Sequence, residues 1–347
     1  MNILYLLEST DLCGGVKVVF NHAAALTENG HSVYILSPAP YPSWFNKRVP
    51  FYRLDLNLFH TIPSFNDIDF IIATCPLHLP AVYDYLYPDI SKLVHLVQGY
   101  EPDCAEAEPF IDMITKSYSL NIPKITVSDR LSQRLSALYP GKHFMTCGQG
   151  LENDIFYPPE KFIADVINTV ILIGAFDISV KRIADGLCAF KRALEKKENL
   201  KLVRISAVDT KTKEEALTVK IDEYHVGITP CEVGELLRRP RGVLVSPSSS
   251  GEGFGLPPLE AMACGIPTVL SDIPSYRAFS SPVDYSIFVP VGDIEQMADA
   301  IIELSENGKL RYQLIKRGLE VAGEYSYSKV VERLERCLST IAKLSKI

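Results

Sequence analysis

The sequence predicts an α/β fold built from two doubly wound parallel sheets. Short apolar runs rich in Ile, Val and Leu alternate with segments of helical periodicity, which is typical of strands buried under helices on both faces of a sheet. This alternation starts at residue 2 and starts again at residue 168. A chain of 347 residues is also too long for one ordinary core. These observations predict two domains, each with its own sheet.

The first half of the chain supplies the strands of one sheet. A helix is predicted over Val16–Asn29, because Asn29 followed by Gly30 is a typical helix stop. Residues Tyr41–Arg53 are predicted to form an irregular loop anchored by aromatic side chains, with contact to a substrate or a membrane surface as the alternative. The predicted strands are Asn2–Leu7, His31–Ser37, Asp69–Ala73, Leu93–Val97 and Lys124–Val127.

The second half repeats this alternation and ends in helices. The two prolines of Phe156–Pro159 interrupt regular structure between the halves. After residue 293, helices are predicted at Ile294–Glu303, Lys309–Ala322 and Ser328–Lys346. Before it, the sequence predicts the strands Asn168–Gly174, Leu202–Ser206, Gly242–Ser246 and Pro267–Ser271, and the helices Ile183–Glu195 and Leu256–Cys264.

The composition excludes several classes of function. The net charge is −7, which argues against nucleic acid as a partner, because a phosphate backbone requires a basic protein face. No apolar run reaches the ~18 residues that span a bilayer, and the apolar N-terminus lacks the features of a signal peptide. Eight cysteines without a C-x-x-C pair predict buried, reduced thiols rather than disulfides or a metal site. We therefore expect a cytoplasmic protein.

The strongest local signal is the glycine-rich stretch Ser246–Pro267. It is predicted to run from a strand through a loop into a helix and on to the next strand. Glycine lets a ligand approach the backbone, and the amides of Gly253, Phe254 and Gly255 would lie at the start of the helix, where the helix dipole favours an anion. The pattern predicts an anion site suited to a diphosphate.

Two carboxylates flank this predicted anion site. Glu252 lies in the loop and Glu260 in the helix, with seven residues between them. A carboxylate accepts hydrogen bonds from hydroxyl groups at roughly 1.5–3 kcal/mol per charged bond, so one could hold a sugar ring and the other a ribose. The alternative is that Glu252 is a solvated loop charge and Glu260 an ordinary helical residue.

This stretch resembles the retaining glycosyltransferases of family 4, also called the group 1 glycosyltransferases. The resemblance rests on the Glu-x7-Glu spacing and on the run Glu-Gly-Phe-Gly-Leu-Pro-Pro-Leu-Glu-Ala-Met-Ala-Cys-Gly-Ile-Pro at 252–267. It implies the GT-B fold, in which two Rossmann-like doubly wound domains face a central cleft. It also implies that Glu252 contacts the donor sugar, that Glu260 contacts the ribose, and that the amides from Gly253 to Leu256 hold the sugar and diphosphate.

Other segments resemble the family less completely. Gly14 and Gly15 follow the first strand and resemble the family's N-terminal loop, which lies against the diphosphate and acceptor; a tight strand–helix turn is the alternative. Lys181 is expected to offset charge on the leaving diphosphate, or else to be a solvated charge at a helix start. The family's preceding arginine is missing from Gly174–Ile178, and Arg182 is the nearest substitute.

A second departure concerns the fourth strand, where many family members have a histidine near the sugar. Gln98 occupies the corresponding position here, whereas His95 is expected to be packed inside the strand. The resemblance thus implies catalytic roles for Glu252, Lys181, Arg182 and Gln98, and donor-binding roles for Gly14, Gly15, Gly253, Phe254, Gly255, Leu256 and Glu260.

The resemblance also implies a division of labour along the chain. Residues 1–157 would form the acceptor-side domain, 158–325 the nucleotide-sugar-binding domain, and 326–347 a C-terminal helix that can pack back on the first domain. The expected reaction is hexosyl or deoxyhexosyl transfer with retention, without metal or cofactor, from a UDP-, GDP- or dTDP-sugar to a glycan or lipid-linked acceptor. Such enzymes serve bacterial-type surface polysaccharide synthesis, in the cytoplasm or in peripheral contact with the inner face of the membrane. The base, sugar, acceptor, linkage and oligomeric state stay open.

Two rival functions also stay open. A nucleotide-sugar 2-epimerase has the same two-domain architecture. A catalytically impaired nucleotide-sugar-binding partner protein would account for the missing arginine and histidine. A nicotinamide-dependent oxidoreductase does not fit, because Cys13-Gly14-Gly15-Val16-Lys17 stands where G-x-G-x-x-G is required.

Overall fold

The computed structural model describes residues 1–62, 65–160, 167–217, 221–239 and 242–344. The chain divides into two units. Unit 1 comprises Met1–Pro102, Ala107–Gly150 and Ser326–Ile347, and unit 2 comprises Asp103–Glu106 and Leu151–Tyr325. Each unit contains one parallel sheet with helices, so the predicted α/β fold with two doubly wound sheets is confirmed.

Unit 1 is built on a seven-stranded sheet. Its strands are β1 (Asn2–Leu6), β2 (Ser32–Ser37), β3 (Phe51–Arg53), β4 (Phe70–Ala73), β5 (Leu93–Val97), β6 (Lys124–Thr126) and β7 (Phe144–Thr146). They pair in parallel in the order β3-β2-β1-β4-β5-β6-β7. The connecting helices are α1 (Gly14–Glu28), α2 (Leu79–Leu86), α3 (Ile111–Ser119) and α4 (Asp129–Leu138).

Unit 2 is built on a six-stranded sheet. Its strands are β8 (Thr169–Ile173), β9 (Lys201–Ser206), β10 (Glu223–Val226), β11 (Gly242–Ser246), β12 (Thr268–Ser271) and β13 (Ile287–Val289). They pair in parallel in the order β10-β9-β8-β11-β12-β13. The helices are α5 (Ile183–Lys196), α6 (Lys211–Glu215), α7 (Pro230–Leu237), α8 (Leu256–Ala263), α9 (Pro274–Arg277), α10 (Ile294–Glu306) and α11 (Gly308–Ala322).

The last helix, α12 (Tyr327–Leu344), returns to unit 1. Its buried apolar residues, among them Leu334, Leu338 and Ile341, pack with those of α1 and β1 in one core cluster. The predicted helix ended at Lys346, which lies outside the described residues. Shorter 3-10 helices lie at Leu56–Thr61, Phe65–Asp67, Glu101–Asp103, Ala105–Phe110 and Ser179–Lys181. In the part of the chain that the structure describes, no helix is both long and apolar enough to cross a membrane.

The central strands bury both of their faces, which explains their continuous apolar sequence. In β1, Ile3 and Tyr5 belong to one core cluster, whereas Leu4 and Leu6 belong to another. Successive side chains of a strand point to opposite faces of the sheet, so both faces of β1 are covered. His95 in β5 is fully buried, as predicted, and burial lowers its pKa to about 3, helped by the nearby charge of Lys124.

The structure corrects two predictions. The predicted loop Tyr41–Arg53 ends in strand β3, which pairs with β2 at the edge of the sheet, because the aromatic residues Phe51 and Tyr52 favour a strand. Trp44 in this segment packs against Phe20 and donates its Nε1–H to the Thr10 carbonyl at 2.9 Å, so it anchors the segment.

The cysteines are the second correction. All eight are free thiols, but only Cys147, Cys264 and Cys337 are buried as predicted. Cys13 and Cys231 are exposed, since Cys13 is the N-cap of α1 and Cys231 lies in the first turn of α7, away from its packed face.

A buried ion pair links β9 of unit 2 to helix α6 and to the end of β8. Arg204 of β9 donates from Nε to Glu214 Oε2 at 2.6 Å and from a terminal nitrogen to Glu214 Oε1 at 2.8 Å, and both side chains are fully buried. The other terminal nitrogen donates to the Leu172 carbonyl at 2.8 Å, and the Gly174 carbonyl accepts a further bond at 2.9 Å. Arg204 therefore holds the carboxyl end of β8 in place.

We expect Arg204→Met to destabilise unit 2 by roughly 3–5 kcal/mol, because it leaves the Glu214 charge buried without its ionic partner. Urea unfolding followed by circular dichroism measures the loss. The exposed Arg192, whose pairs with Glu195 and Glu295 each span 3.1 Å, is the matched control. Arg192→Met should leave the urea midpoint close to that of the parent protein, because solvent screens an exposed ion pair. If both variants lost the same free energy of unfolding, the buried ion pair would be no more important for stability than the exposed one.

Candidate functional site

Both sheets have a topological switch point, which is where open α/β sheets bind ligands beyond the carboxyl ends of their strands. In unit 2 the strand order reverses between β8 and β11, and in unit 1 it reverses between β1 and β4. The loops that follow these strands contain most of the predicted site residues. The topology thus explains why residues far apart in the sequence meet.

The glycine-rich loop of unit 2 joins β11 to α8 and depends on Gly255. This residue has φ of 99° and is the N-cap of α8. A Cβ atom added there would lie 2.3 Å from Cε1 of Tyr276, so both the backbone angle and the contact require glycine. The ring of Phe254 packs against Phe279 and Tyr325, with ring centroids 5.3 and 5.6 Å apart. The packed side chain of Phe254 holds the loop in place, and the backbone of Phe254 lies just before the first residue of α8.

The start of α8 concentrates its backbone hydrogen-bond donors in two residues. The first N–H groups of a helix lack partners within the helix. Pro257 and Pro258, the second and third residues of α8, have no N–H to offer. The unpaired donors of this helix end are therefore concentrated in Gly255 and Leu256, two of the predicted donor-binding residues.

Lys181 and Glu252, which are 71 residues apart, meet at this switch point. Lys181 Nζ donates to Glu252 Oε2 at 2.6 Å. The contact is supported by the backbone, because the Ser249 N–H donates to the Val180 carbonyl at 2.8 Å. The Glu252 side chain is only 10 % exposed, whereas that of Lys181 is 27 % exposed. Glu252 is thus not the solvated loop charge of the alternative interpretation.

Glu252 also accepts a hydrogen bond from the buried side of the loop. The Ser248 hydroxyl donates to Glu252 Oε2 at 3.1 Å, and the hydroxyl of Tyr276 donates to Ser248 Oγ at 2.9 Å. Ser246 Oγ lies 2.6 Å from the same tyrosine hydroxyl. Burial, and then the charge of Glu252, raise the pKa of Tyr276 well above its usual range. Sequence reasoning missed Tyr276, because it lies outside the glycine-rich motif and carries no motif of its own.

The structure places Glu260 inside α8 and turns Arg182 towards Asp185. Glu260 is the fifth residue of α8 and is 5 % exposed, so it is a buried carboxylate. Arg182 has φ of 47° and directs its guanidinium to Asp185, with Nε 2.6 Å from Oδ2. The predicted substitute for the missing arginine is therefore engaged by a carboxylate of its own helix.

The three predicted residues of unit 1 also come together. Gln98 follows β5, and its Nε2 donates to the Gly15 carbonyl at 3.1 Å. A Cβ atom added to Gly15 would lie 3.4 Å from the same nitrogen, so the glutamine side chain packs closely on the turn. Gly15 and the preceding Gly14 open helix α1. The structure thus places Gln98 against the predicted glycine turn, inside unit 1.

A polar trio lies at the same edge of this sheet. His78 Nε2 is 2.5 Å from Glu8 Oε1, and Sγ of Cys75 completes a group whose polar atoms lie within 4.8 Å of one another. The hydrogen bond from His78 lowers the pKa of Glu8, and Glu8 raises that of His78. Burial raises the pKa of Cys75 to about 12. The trio is held together by its own ion pair and hydrogen bonds.

Known proteins resemble this chain both in sequence and in fold. Residues 158–321 match the family model described as glycosyl transferases group 1. A phosphatidyl-myo-inositol mannosyltransferase of Mycobacterium leprae is 35% identical over 30% of this chain and 28% of its own length. The protein of the same name from Mycolicibacterium smegmatis is 27% identical over 96% of this chain and 92% of its own length.

Two solved structures share the fold. Sucrose-phosphate synthase from Thermosynechococcus elongatus has a TM-score of 0.78 at 16% identity, covering 99% of each chain. Anabaena Alr3699/HepE in complex with UDP-glucose has a TM-score of 0.75 at 12% identity, covering 98% of this chain and 100% of that one.

Proposed function

We propose that this chain is a group 1 glycosyltransferase that transfers a sugar, with retention, from a nucleoside diphosphate to a glycan or lipid-linked acceptor, because residues 158–321 match that family model and the chain has the GT-B fold. The observation that carries this proposal is the Lys181–Glu252 contact at the start of α8. It joins a cation suited to a diphosphate with a carboxylate suited to sugar hydroxyls. Both residues lie within the segment that matches the family.

The diphosphate of the donor binds at the start of α8. The amides of Gly255 and Leu256, with those of Gly253 and Phe254 before them, offer donors where the helix dipole favours negative charge. Lys181 adds a full positive charge on a side chain exposed enough to move. The incoming diphosphate competes with Glu252 for this ammonium group, so donor binding loosens the ion pair and frees Glu252 for the sugar.

The reaction needs no protein base. The bond between C1 of the sugar and the β-phosphate oxygen breaks, and C1 bonds to the acceptor oxygen on the same face. The acceptor hydroxyl gives its proton to an oxygen of the leaving phosphate. The protein's part is to orient the reactants and to stabilise the charge that develops on the diphosphate. Lys181 and the loop amides stabilise this charge, Glu252 holds the sugar, and Glu260 holds the ribose.

Mannose is the first sugar to test. The named sequence relatives are mannosyltransferases that act on phosphatidyl-myo-inositol, and an O-antigen chain mannosyltransferase B of Escherichia coli is 33% identical over 22% of this chain. HepE is described with UDP-glucose, so uridine donors form the second group. We propose a cytoplasmic enzyme of surface polysaccharide or glycolipid synthesis that reaches its acceptor at the inner membrane face and requires no metal.

A ligand screen followed by product analysis tests this function. Thermal unfolding is measured with UDP, GDP and dTDP and with their mannose, glucose and rhamnose conjugates, each with and without EDTA. Ligands stabilise the folded state according to occupancy, so one nucleotide family should raise Tm independently of EDTA, and Glu260→Gln should reduce that rise. With the identified donor, the anomeric configuration of the glycoside product is read by NMR.

The outcomes separate the alternatives. Transfer that yields the same anomer as the donor supports the proposal, and an inverted product contradicts retention. A changed donor sugar without any acceptor would favour a 2-epimerase. Donor binding without turnover on any glycan or lipid acceptor would favour an impaired partner protein, for which the engagement of Arg182 by Asp185 is the structural argument.

A further inference from the structure

We propose that Tyr276 is a positioning residue for sugar transfer, because its buried hydroxyl orients Glu252 through Ser248. The proposal rests on the proposed role of Glu252 in holding the donor sugar. Tyr276 belongs to α9, which follows β12. Its hydroxyl is bonded to Ser248 and, in the hydrogen-bond chain described above, is linked to Glu252 only through that serine. Its effect on the reaction passes through the serine.

Counting hydroxyl protons fixes the direction of the chain. A serine or tyrosine hydroxyl has one proton to donate. Ser248 uses its proton in the bond to Glu252 Oε2, so it must accept from Tyr276. Tyr276 thereby uses its own proton and must accept from Ser246, 2.6 Å away. The three hydroxyls donate in one direction, from Ser246 to Glu252, and bonds aligned in this way strengthen one another.

The position of Tyr276 is itself fixed. Its side chain is fully buried, and Ser248 is 1 % exposed, so water does not compete for these bonds. The tyrosine ring lies directly against the loop, because a Cβ atom on Gly255 would meet it at 2.3 Å. One side chain therefore holds the loop at two points: the ring limits Gly255, and the hydroxyl reaches Glu252 through Ser248.

The two groups that hold Glu252 differ in what happens on donor binding. Lys181 is partly exposed, and the diphosphate draws its ammonium group away from Glu252. Ser248 is buried, and its hydroxyl could not bond to the diphosphate without breaking its hydrogen bond to Glu252. In the donor complex the orientation of Glu252 therefore depends on Ser248 and Tyr276. Loss of the tyrosine hydroxyl should act on kcat more than on donor binding.

Steady-state kinetics of Tyr276→Phe and Ser248→Ala test this inference. We expect each change to lower kcat about tenfold while the donor KM stays within about twofold, since one hydrogen bond to the charged group is weakened or lost. The double variant should lose no more than Ser248→Ala alone, because both changes interrupt the same chain. Tyr285→Phe is the matched control: it removes a buried tyrosine hydroxyl whose bond, at 2.5 Å, goes to the Tyr276 backbone carbonyl.

Tyr285→Phe should lower Tm comparably and leave kcat within about twofold, because a bond of similar strength is lost without touching the hydroxyl chain. Glu252→Gln, assayed in parallel, separates two kinds of failure. If Glu252→Gln leaves transfer unchanged, the proposed role of Glu252 fails. If Glu252→Gln lowers kcat but Tyr276→Phe and Ser248→Ala behave like Tyr285→Phe, the positioning role alone is overturned. Should Tyr276→Phe not fold, Ser248→Ala and its comparison with Tyr285→Phe decide the question.

Discussion

We expect Lys181→Met to lower kcat/KM for transfer by about 100- to 1,000-fold, the range measured when a donor that stabilises developing negative charge is removed. In the described loop after β8, Lys181 supplies the cation that lies against Glu252 at the carboxyl end of the sheet. The neighbouring Arg182 is bonded to Asp185 of its own helix, and we expect it not to replace Lys181. Steady-state kinetics with the donor identified by the ligand screen measure the loss.

Lys213→Met is the control for this prediction. Lys213 forms an ion pair of similar length with Asp177, 3.0 Å, but its side chain is 63% exposed. Its replacement should change kcat/KM by less than about twofold, as expected for an exposed pair. Lys181→Met should leave Tm close to that of the parent protein, because the ammonium group is partly solvated. If its kcat/KM matched that of Lys213→Met, Lys181 would have no part in transfer.

We expect Glu252→Gln to lower kcat by roughly 10- to 100-fold, which corresponds to one or two charged hydrogen bonds to the sugar. The amide keeps the volume of the side chain and can still accept a bond from Ser248, so the loop should keep its structure. What changes is the charge that faces Lys181 and that we propose holds the sugar hydroxyls. Rates with a saturating donor, together with Tm, separate the catalytic effect from a folding defect.

Glu195→Gln provides the comparison for Glu252→Gln. Glu195 is an exposed carboxylate on α5 that accepts a bond from Arg192 at 3.1 Å. Both variants remove one negative charge from unit 2, but only Glu252 lies at the switch point of its sheet. If kcat fell equally in the two variants, the cause would be the change in net charge and not a specific contact of Glu252.

The sequence was sufficient for the two-sheet architecture and for the central strands of each sheet. Buried parallel strands must be apolar on both faces, so their runs of Ile, Val and Leu are visible without a structure. The four edge strands β3, β7, β10 and β13 were not predicted, because each is only three or four residues long and lacks the continuous apolar run of a fully buried strand. The exposure of Cys13 and Cys231 was also missed, since position on a helix, and not residue type, decides it.

The contacts within the site were beyond sequence reasoning for a physical reason. Lys181 and Glu252 meet only because β8 and β11 are neighbours in the sheet, and strand order is a tertiary property. The turn of Arg182 towards Asp185 follows from a left-handed backbone angle that the sequence does not reveal. Tyr276 could be identified only from the tertiary structure, in which α9 brings it into contact with the glycine-rich loop.

The return of α12 to unit 1 has a consequence for the order of events during synthesis. Residues 151–325, almost all of unit 2, leave the ribosome before α12 does, and domains fold as units as they emerge. The core of unit 1, by contrast, includes Val331, Leu334, Leu338 and Ile341 of that last helix. Until α12 arrives, the apolar surface of α1 that it covers is exposed to solvent. The unit that is translated first is therefore completed last.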